Sequence, residues 1–173
     1  PHTFQTAEEA AKKASRFAKE LQLILWYLGV SEANMEKGEM RCEANISLTD
    51  EEGNFGTKVE IKNLNSFKAV EDAINYEIQR QGKMLAEGGS VAQETRGWDE
   101  NKRITFSQRS KEEAFDYRYF PEPDLLPMDL ADKSFIDTEE IIRSLPELPW
   151  QKRKRFFEEY ALLKDDVEVL IRD

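Results

Sequence analysis

Apolar and polar residues alternate strictly along residues 40–48. Met40, Cys42, Ala44, Ile46 and Leu48 take every second position, and Arg41, Glu43, Asn45 and Ser47 stand between them. A β-strand sends successive side chains to opposite faces, so this run predicts a strand with one apolar face and one face carrying charge and amide. A second alternating run follows, in which Lys58, Glu60 and Lys62 flank Val59 and Ile61. The two strands, near 39–48 and 57–63, are separated by the acidic, glycine-containing stretch Asp50-Glu51-Glu52-Gly53-Asn54, which predicts an antiparallel hairpin. In that pairing the two polar rows share a face, with Glu43 or Asn45 near Glu60 or Lys62.

Other segments carry a helical period. Over residues 7–28, Ala10, Ala14, Phe17, Leu21, Ile24 and Leu28 recur at steps of three and four; Thr6 and Glu9 form a capping-box pattern, and Gly29 suits the end. A second helix is expected over 66–86, capped by Asn65 or Ser66 and ended by Gly88-Gly89, with Phe67, Val70, Ile74, Ile78 and Leu85 as its buried stripe. A second hairpin is expected near 91–98 and 103–109, turning at Asp99-Glu100-Asn101-Lys102. The aromatic stretch 116–124, with Pro121 and Pro123, reads as irregular. Helical patterns return at 138–145, 149–161 and 164–172. The expected fold class is therefore α+β, an antiparallel sheet with packed helices over 1–133, followed by a helical segment over 134–173.

The chain has 173 residues, 35% of them charged, and a net charge of −10. Such acidity argues against an autonomous nucleic-acid binder, although a local basic patch or a partner subunit can supply cationic contacts. No apolar run is long enough to span a bilayer, so no membrane partner is expected. Cys42 is the single cysteine, which leaves neither an internal disulfide nor a cysteine-based zinc site; it alternates with core residues and reads as a small buried hydrophobe. The chain opens at Pro1 and is expected to be a piece of something longer.

The chemistry on offer is ionic. The rows Arg41/Glu43/Asn45 and Lys58/Glu60/Lys62 can hold Mg²⁺ through carboxylates and phosphate through cations. The solvated face of a one-sided antiparallel sheet produces the same pattern, and the pattern alone favours that account. Lys62-Asn63-Leu64-Asn65-Ser66 leads into a helix N-terminus, a place for an anion or simply a cap. Glu94, Thr95 and Arg96 repeat the charged-strand theme. Asp116, Arg118 and Tyr119 lie among aromatics able to stack on a base or to bury a loop. Trp98 reads as packing. The basic run Lys152-Arg153-Lys154-Arg155 reads as a solvated helix face paired with Glu158 and Glu159. No nucleophile elbow, phosphate loop, zinc-protease motif or dinucleotide fingerprint is present.

Several long blocks, in order, carry a resemblance. They are residues 35–47 (MEKGEMRCEANIS), 56–67 (GTKVEIKNLNSF), 93–100 (QETRGWDE), 109–112 (RSKE), 116–124 (DYRYFPEPD) and 146–149 (PELP). The chain resembles the B subunit of the bacterial and organellar aspartyl/glutamyl-tRNA amidotransferases, whose core is shared by the archaeal E subunit. The family often has aspartate where this chain has Glu43, which keeps the charge and lengthens the arm. The resemblance implies the second half of a cradle-shaped, glutamine-synthetase-like kinase domain and the start of a helical domain. It implies an ATP- and Mg²⁺-dependent ligase that phosphorylates the side-chain carboxylate of Glu-tRNA(Gln) or Asp-tRNA(Asn). Ammonia from an amidase (A) subunit then displaces the phosphate, with a small C subunit completing a heterotrimer in the cytoplasm or an organellar matrix. On that basis Glu43 and Glu60 are expected near metal. Arg41, Lys58 and Lys62 are expected near phosphate, Asn45 as an orienting group, and Asn63, Asn65, Arg96 and Arg118 near the nucleotide. The alternative expectation is a noncatalytic scaffold that docks tRNA and the amidase subunit.

Overall fold

The computed structural model describes residues 7–110, 121–129, 131 and 136–172. Thr6 of the expected capping box and the stretch containing Asp116, Arg118 and Tyr119 lie outside them. Among the described residues the order is α1 (Ala7–Tyr27), β1 (Cys42–Ile46), β2 (Val59–Leu64), α2 (Phe67–Ala86), β3 (Glu94–Asp99), β4 (Ile104–Ser110), α3 (Thr138–Ser144), α4 (Pro149–Tyr160) and α5 (Lys164–Leu170). The fold is α+β, as the alternation and helical periods imply. These residues divide into two compact units, one holding the sheet with α1 and α2, the other joining Tyr27–Gly29 to the described residues from 121 onward.

In the first unit the four strands form one sheet in the order β1-β2-β3-β4. The hairpins β1-β2 and β3-β4 are antiparallel, but β2 and β3 run parallel, pairing Glu60 with Thr95, Ile61 with Arg96 and Lys62 with Gly97. Both expected antiparallel hairpins are present, and the sheet they form together is mixed, parallel only at its centre. The reason is α2: a helix between β2 and β3 returns the chain to the same edge, and a crossover of this kind yields parallel neighbours. Ser66 is the N-cap of α2, its Oγ accepting from Ala69 N at 3.0 Å, and the backbone beyond the helix turns at Gly88 with φ +78°.

The core lies between one face of the sheet and the helices, where Ile61, Leu64 and Trp98 meet Ala69, Val70, Ala73 and Ile74 of α2 and Ala11 of α1. Two details differ from the periodic reading. The buried side of α1 is Ala11, Ser15, Ala18 and Leu23, whereas Phe17 is 71% exposed. Small residues there let α1 approach closely enough for Ser15 Oγ to donate to the Phe67 carbonyl at 2.9 Å. On α2 Leu85 is exposed, and Glu77 and Gln81 are buried instead.

In the second unit, Asp137 caps α3 by accepting from Glu139 N and Glu140 N, and Pro149 opens α4. The basic run is absorbed locally. Arg153 pairs with Glu168 at 2.9 Å and Arg155 with Glu147 at 2.7 Å, while Lys152 lies over the rings of Tyr27 and Phe156. No helix among the described residues is long and apolar enough to cross a membrane.

Candidate functional site

The face of the sheet turned away from α2 carries the polar rows. Asn45 on β1 is opposite Glu60 on β2, and Glu60 is beside Thr95 on β3. One step along, Lys62 is beside Gly97, which is opposite Phe106 on β4. A bulge between Cys42 and Ala44 brings Glu43 level with Lys62. Asn63 absorbs the irregularity with φ +63°, a left-handed conformation that asparagine tolerates better than most residues.

Three ionic groups converge there. Lys62 Nζ is 3.2 Å from Glu43 Oε1 and 3.8 Å from Glu60 Oε1. The second oxygen of Glu60, Oε2, accepts from Thr95 Oγ1 at 2.9 Å. Glu43 is the most open of the three at 45% side-chain exposure, Lys62 stands at 35% and Glu60 at 15%. Gly97 keeps the adjoining patch low, since a Cβ there would lie 2.7 Å from the Phe106 ring and from Gln108 Nε2.

The other expected site residues spread around this centre. Arg41 and Lys58 are exposed immediately before β1 and β2, outside the strands the alternation assigned them to. Asn63 and Asn65 are exposed at the end of β2 and in the turn before α2. Arg118 lies outside the described residues. Arg96 is not brought to the cluster. Its neighbour in the strand, Thr95, faces Glu60, so alternation turns Arg96 towards α2. There its Nε donates to Thr105 Oγ1 at 2.8 Å, its Nη2 to the Thr105 carbonyl at 2.8 Å and its Nη1 to Glu94 at 2.6 Å.

That helix-facing side holds an ionic network absent from the sequence reading. The fully buried Glu77 carboxylate accepts from Arg80 Nε, from Gln81 Nε2 at 3.0 Å and from Thr105 Oγ1 at 2.9 Å, with Arg96 Nε at 3.6 Å. Glu77 holds the Arg80 guanidinium above its ordinary pKa. Burial alone would raise Glu94, but hydrogen bonds from Ser107 and Arg96 outweigh it and hold the carboxyl below its usual range. Burial pushes the Cys42 thiol up, in keeping with its packing against the core. The signal for the network was a charged residue at position 77, on the stripe of Val70, Ile74 and Gln81.

The cluster's donors suit a hard divalent cation bound together with phosphate. Mg²⁺ commonly takes one or two protein carboxylates and completes its shell with water and phosphate oxygens. Glu43 and Glu60 already converge on one cation, the Lys62 ammonium. Among the described residues no group of three or more metal-ligating side chains forms a closed protein cage.

The family model described as the GatB/GatE catalytic domain matches residues 4–136. The B subunit of the aspartyl/glutamyl-tRNA(Asn/Gln) amidotransferase of Persephonella marina is 53% identical over 165 residues, covering 95% of this chain and 34% of that relative. Its counterpart in Carboxydothermus hydrogenoformans is 51% identical over 160 residues, covering 92% of this chain and 33% of its own length. That of Synechococcus elongatus is 52% identical over 161 residues, covering 92% and 32%. The chain spans about a third of the length of the curated relatives it matches. With the family model running through both hairpins and both long helices, the chain belongs to the GatB/GatE catalytic-domain family.

Proposed function

We propose that this chain supplies one wall of the site where ATP activates the side-chain carboxylate of Glu-tRNA(Gln) or Asp-tRNA(Asn) for amidation. The observation that carries the reading is the convergence of Glu43 and Glu60 on Lys62, on the polar face of a rigid sheet. Family membership supplies the reaction class. The names of the relatives supply the aminoacyl-tRNA substrates.

The chemistry has two steps. A carboxylate oxygen attacks the terminal phosphorus of ATP and ADP leaves, giving an acyl phosphate. Ammonia then attacks the acyl carbon and inorganic phosphate departs, leaving an amide. The first step brings two anions together, so catalysis consists largely of positioning and charge compensation. Lys62 faces the transferring phosphoryl group, with Arg41 and Lys58 at the strand entrances reaching the outer phosphates. Asn45, across the ladder from Glu60, offers an amide to orient the incoming carboxylate. Asn63 and Asn65 border the nucleotide, and Arg118, outside the described residues, keeps the nucleotide role that the family resemblance implies. Glu43 and Glu60 would hold Mg²⁺, which supplies further neutralisation of phosphoryl charge. Arg96, committed to Glu94 and Thr105, acts in this reading as a brace for β3 and β4 rather than a nucleotide contact. Ammonia comes from the amidase (A) subunit, and the small C subunit completes the assembly.

The test uses the intact amidotransferase carrying E43A or E60A. Phosphate release that depends on ATP and aminoacyl-tRNA is expected to fall by about a hundredfold or more, while glutamine hydrolysis continues. Unchanged acyl-phosphate formation in both variants would reject these roles.

A further inference from the structure

We propose that Thr95 is a positioning residue, its hydroxyl holding the Glu60 carboxylate in the orientation that presents Oε1 to the bound cation; this rests on the reading of Glu60 given above. Thr95 is 2% exposed, and its Oγ1 lies 2.9 Å from Glu60 Oε2. A hydroxyl has one hydrogen to give, and here it is directed at one oxygen of the pair. The other oxygen, Oε1, faces Lys62 Nζ at 3.8 Å. The two oxygens of Glu60 therefore have distinct neighbours, and rotation about the terminal torsion would exchange a hydroxyl for an ammonium.

Three features of the fold make this arrangement stiff. The parallel pairing of β2 and β3 sets Thr95 directly beside Glu60. Threonine is β-branched, so its χ1 choices on a strand are few. The β3-β4 ladder shifts register between Thr95 and Arg96, and bulges of this kind re-aim side chains next to functional positions. A cross-strand Thr–Glu pair also stabilises a sheet in its own right. Positioning differs from that role in one respect: it is felt by whatever the carboxylate binds.

The experiment measures Mn²⁺ binding to the assembled amidotransferase with ATP present, by electron paramagnetic resonance, alongside the Mg²⁺ dependence of ATP-driven phosphate release. T95V keeps shape and removes the donor; T95S keeps the donor; T95C matches serine in outline with only a weak S–H donor. Thermal unfolding is recorded for each. The expected result is that T95V and T95C weaken Mn²⁺ binding by about tenfold or more, the range seen when a partner of a metal-binding carboxylate is removed. T95S restores binding towards wild type, and glutamine hydrolysis is unmoved throughout. Should T95V fail to fold, the comparison of T95S with T95C decides. Equal Mn²⁺ affinity in T95S and T95C, or wild-type affinity in a folded T95V, overturns the inference. E60Q separates the two levels. Weakened Mn²⁺ binding in E60Q beside an unaffected T95C sinks the role of Thr95 alone, whereas wild-type binding in E60Q sinks the role of Glu60 and this inference with it.

Discussion

At Glu77 a full charge occupies a place where the period of α2 asks for an apolar side chain. The charge is tolerated because Arg80, Gln81 and Thr105 satisfy its oxygens inside the protein. Removing one member of a buried ionic group strands the others, so E77A is expected to lower unfolding stability by about 3–5 kcal/mol. Chemical denaturation measures it, and a loss within the range of an ordinary surface substitution would contradict the account. Glu94, on the margin of the same group, gives a pH signature. Its folded pKa lies below the ordinary value of 4.5, so its contribution is fully present above that value and is lost as pH falls through the folded pKa. E94Q is therefore expected to flatten the acid limb of a stability-against-pH curve, read from denaturation midpoints at successive pH values. Alternation alone made Glu43, Glu60 and Lys62 legible as neighbours, because a local hairpin brings them together. The partnership of Thr95 with Glu60 was not legible, since it spans 35 positions and depends on which strands meet.

Among the elements, α2 decides the most. It carries the buried stripe, and by crossing over it makes β2 and β3 parallel. Its first turn depends on Ser66, whose Oγ accepts from Ala69 N. S66A is expected to cost about 1 kcal/mol, with the largest loss of amide-exchange protection in the first turn of α2. A cost spread evenly over the molecule would speak against a capping role. Sheet packing makes a second demand at Gly97, where any Cβ meets Phe106 and Gln108. Both contacts are with the outer ends of exposed side chains that can swing aside, so G97A is expected to cost no more than about 1 kcal/mol in chemical denaturation. The extents of α2, α3, α4 and α5 were readable from their periods and punctuation, as in the proline that opens α4 at Pro149. The buried side of α1 was misjudged for a physical reason. The period marked the large residues Phe17 and Leu21, while close helix contact selected the small ones, Ala11, Ser15 and Ala18. The antiparallel hairpins were visible because turns announce them; the parallel join was not, because its partners are far apart in the chain.

At the scale of the whole molecule, the chain amounts to about a third of its relatives' length and carries a net charge of −10. A polyphosphate ligand calls for cationic contacts, and many of the described basic residues of this acidic chain are already paired. Arg153 and Arg155 serve Glu168 and Glu147, and Arg80 and Arg96 serve Glu77 and Glu94. The chain by itself is therefore expected to show no ATP cleavage stimulated by Glu-tRNA(Gln), Mg²⁺ and ammonium. Robust turnover in that mixture would mean that this third is a complete site. The most direct measurement of the central claim follows isotopically labelled oxygen in the intact amidotransferase, starting from aminoacyl-tRNA labelled in its side-chain carboxylate. If the wall formed by Glu43, Glu60 and Lys62 serves phosphorylation, the unsubstituted enzyme moves one labelled oxygen into inorganic phosphate for each amide formed. The E43Q/E60Q double variant moves essentially none while still hydrolysing glutamine. Label transfer in that variant at the unsubstituted rate would contradict the account.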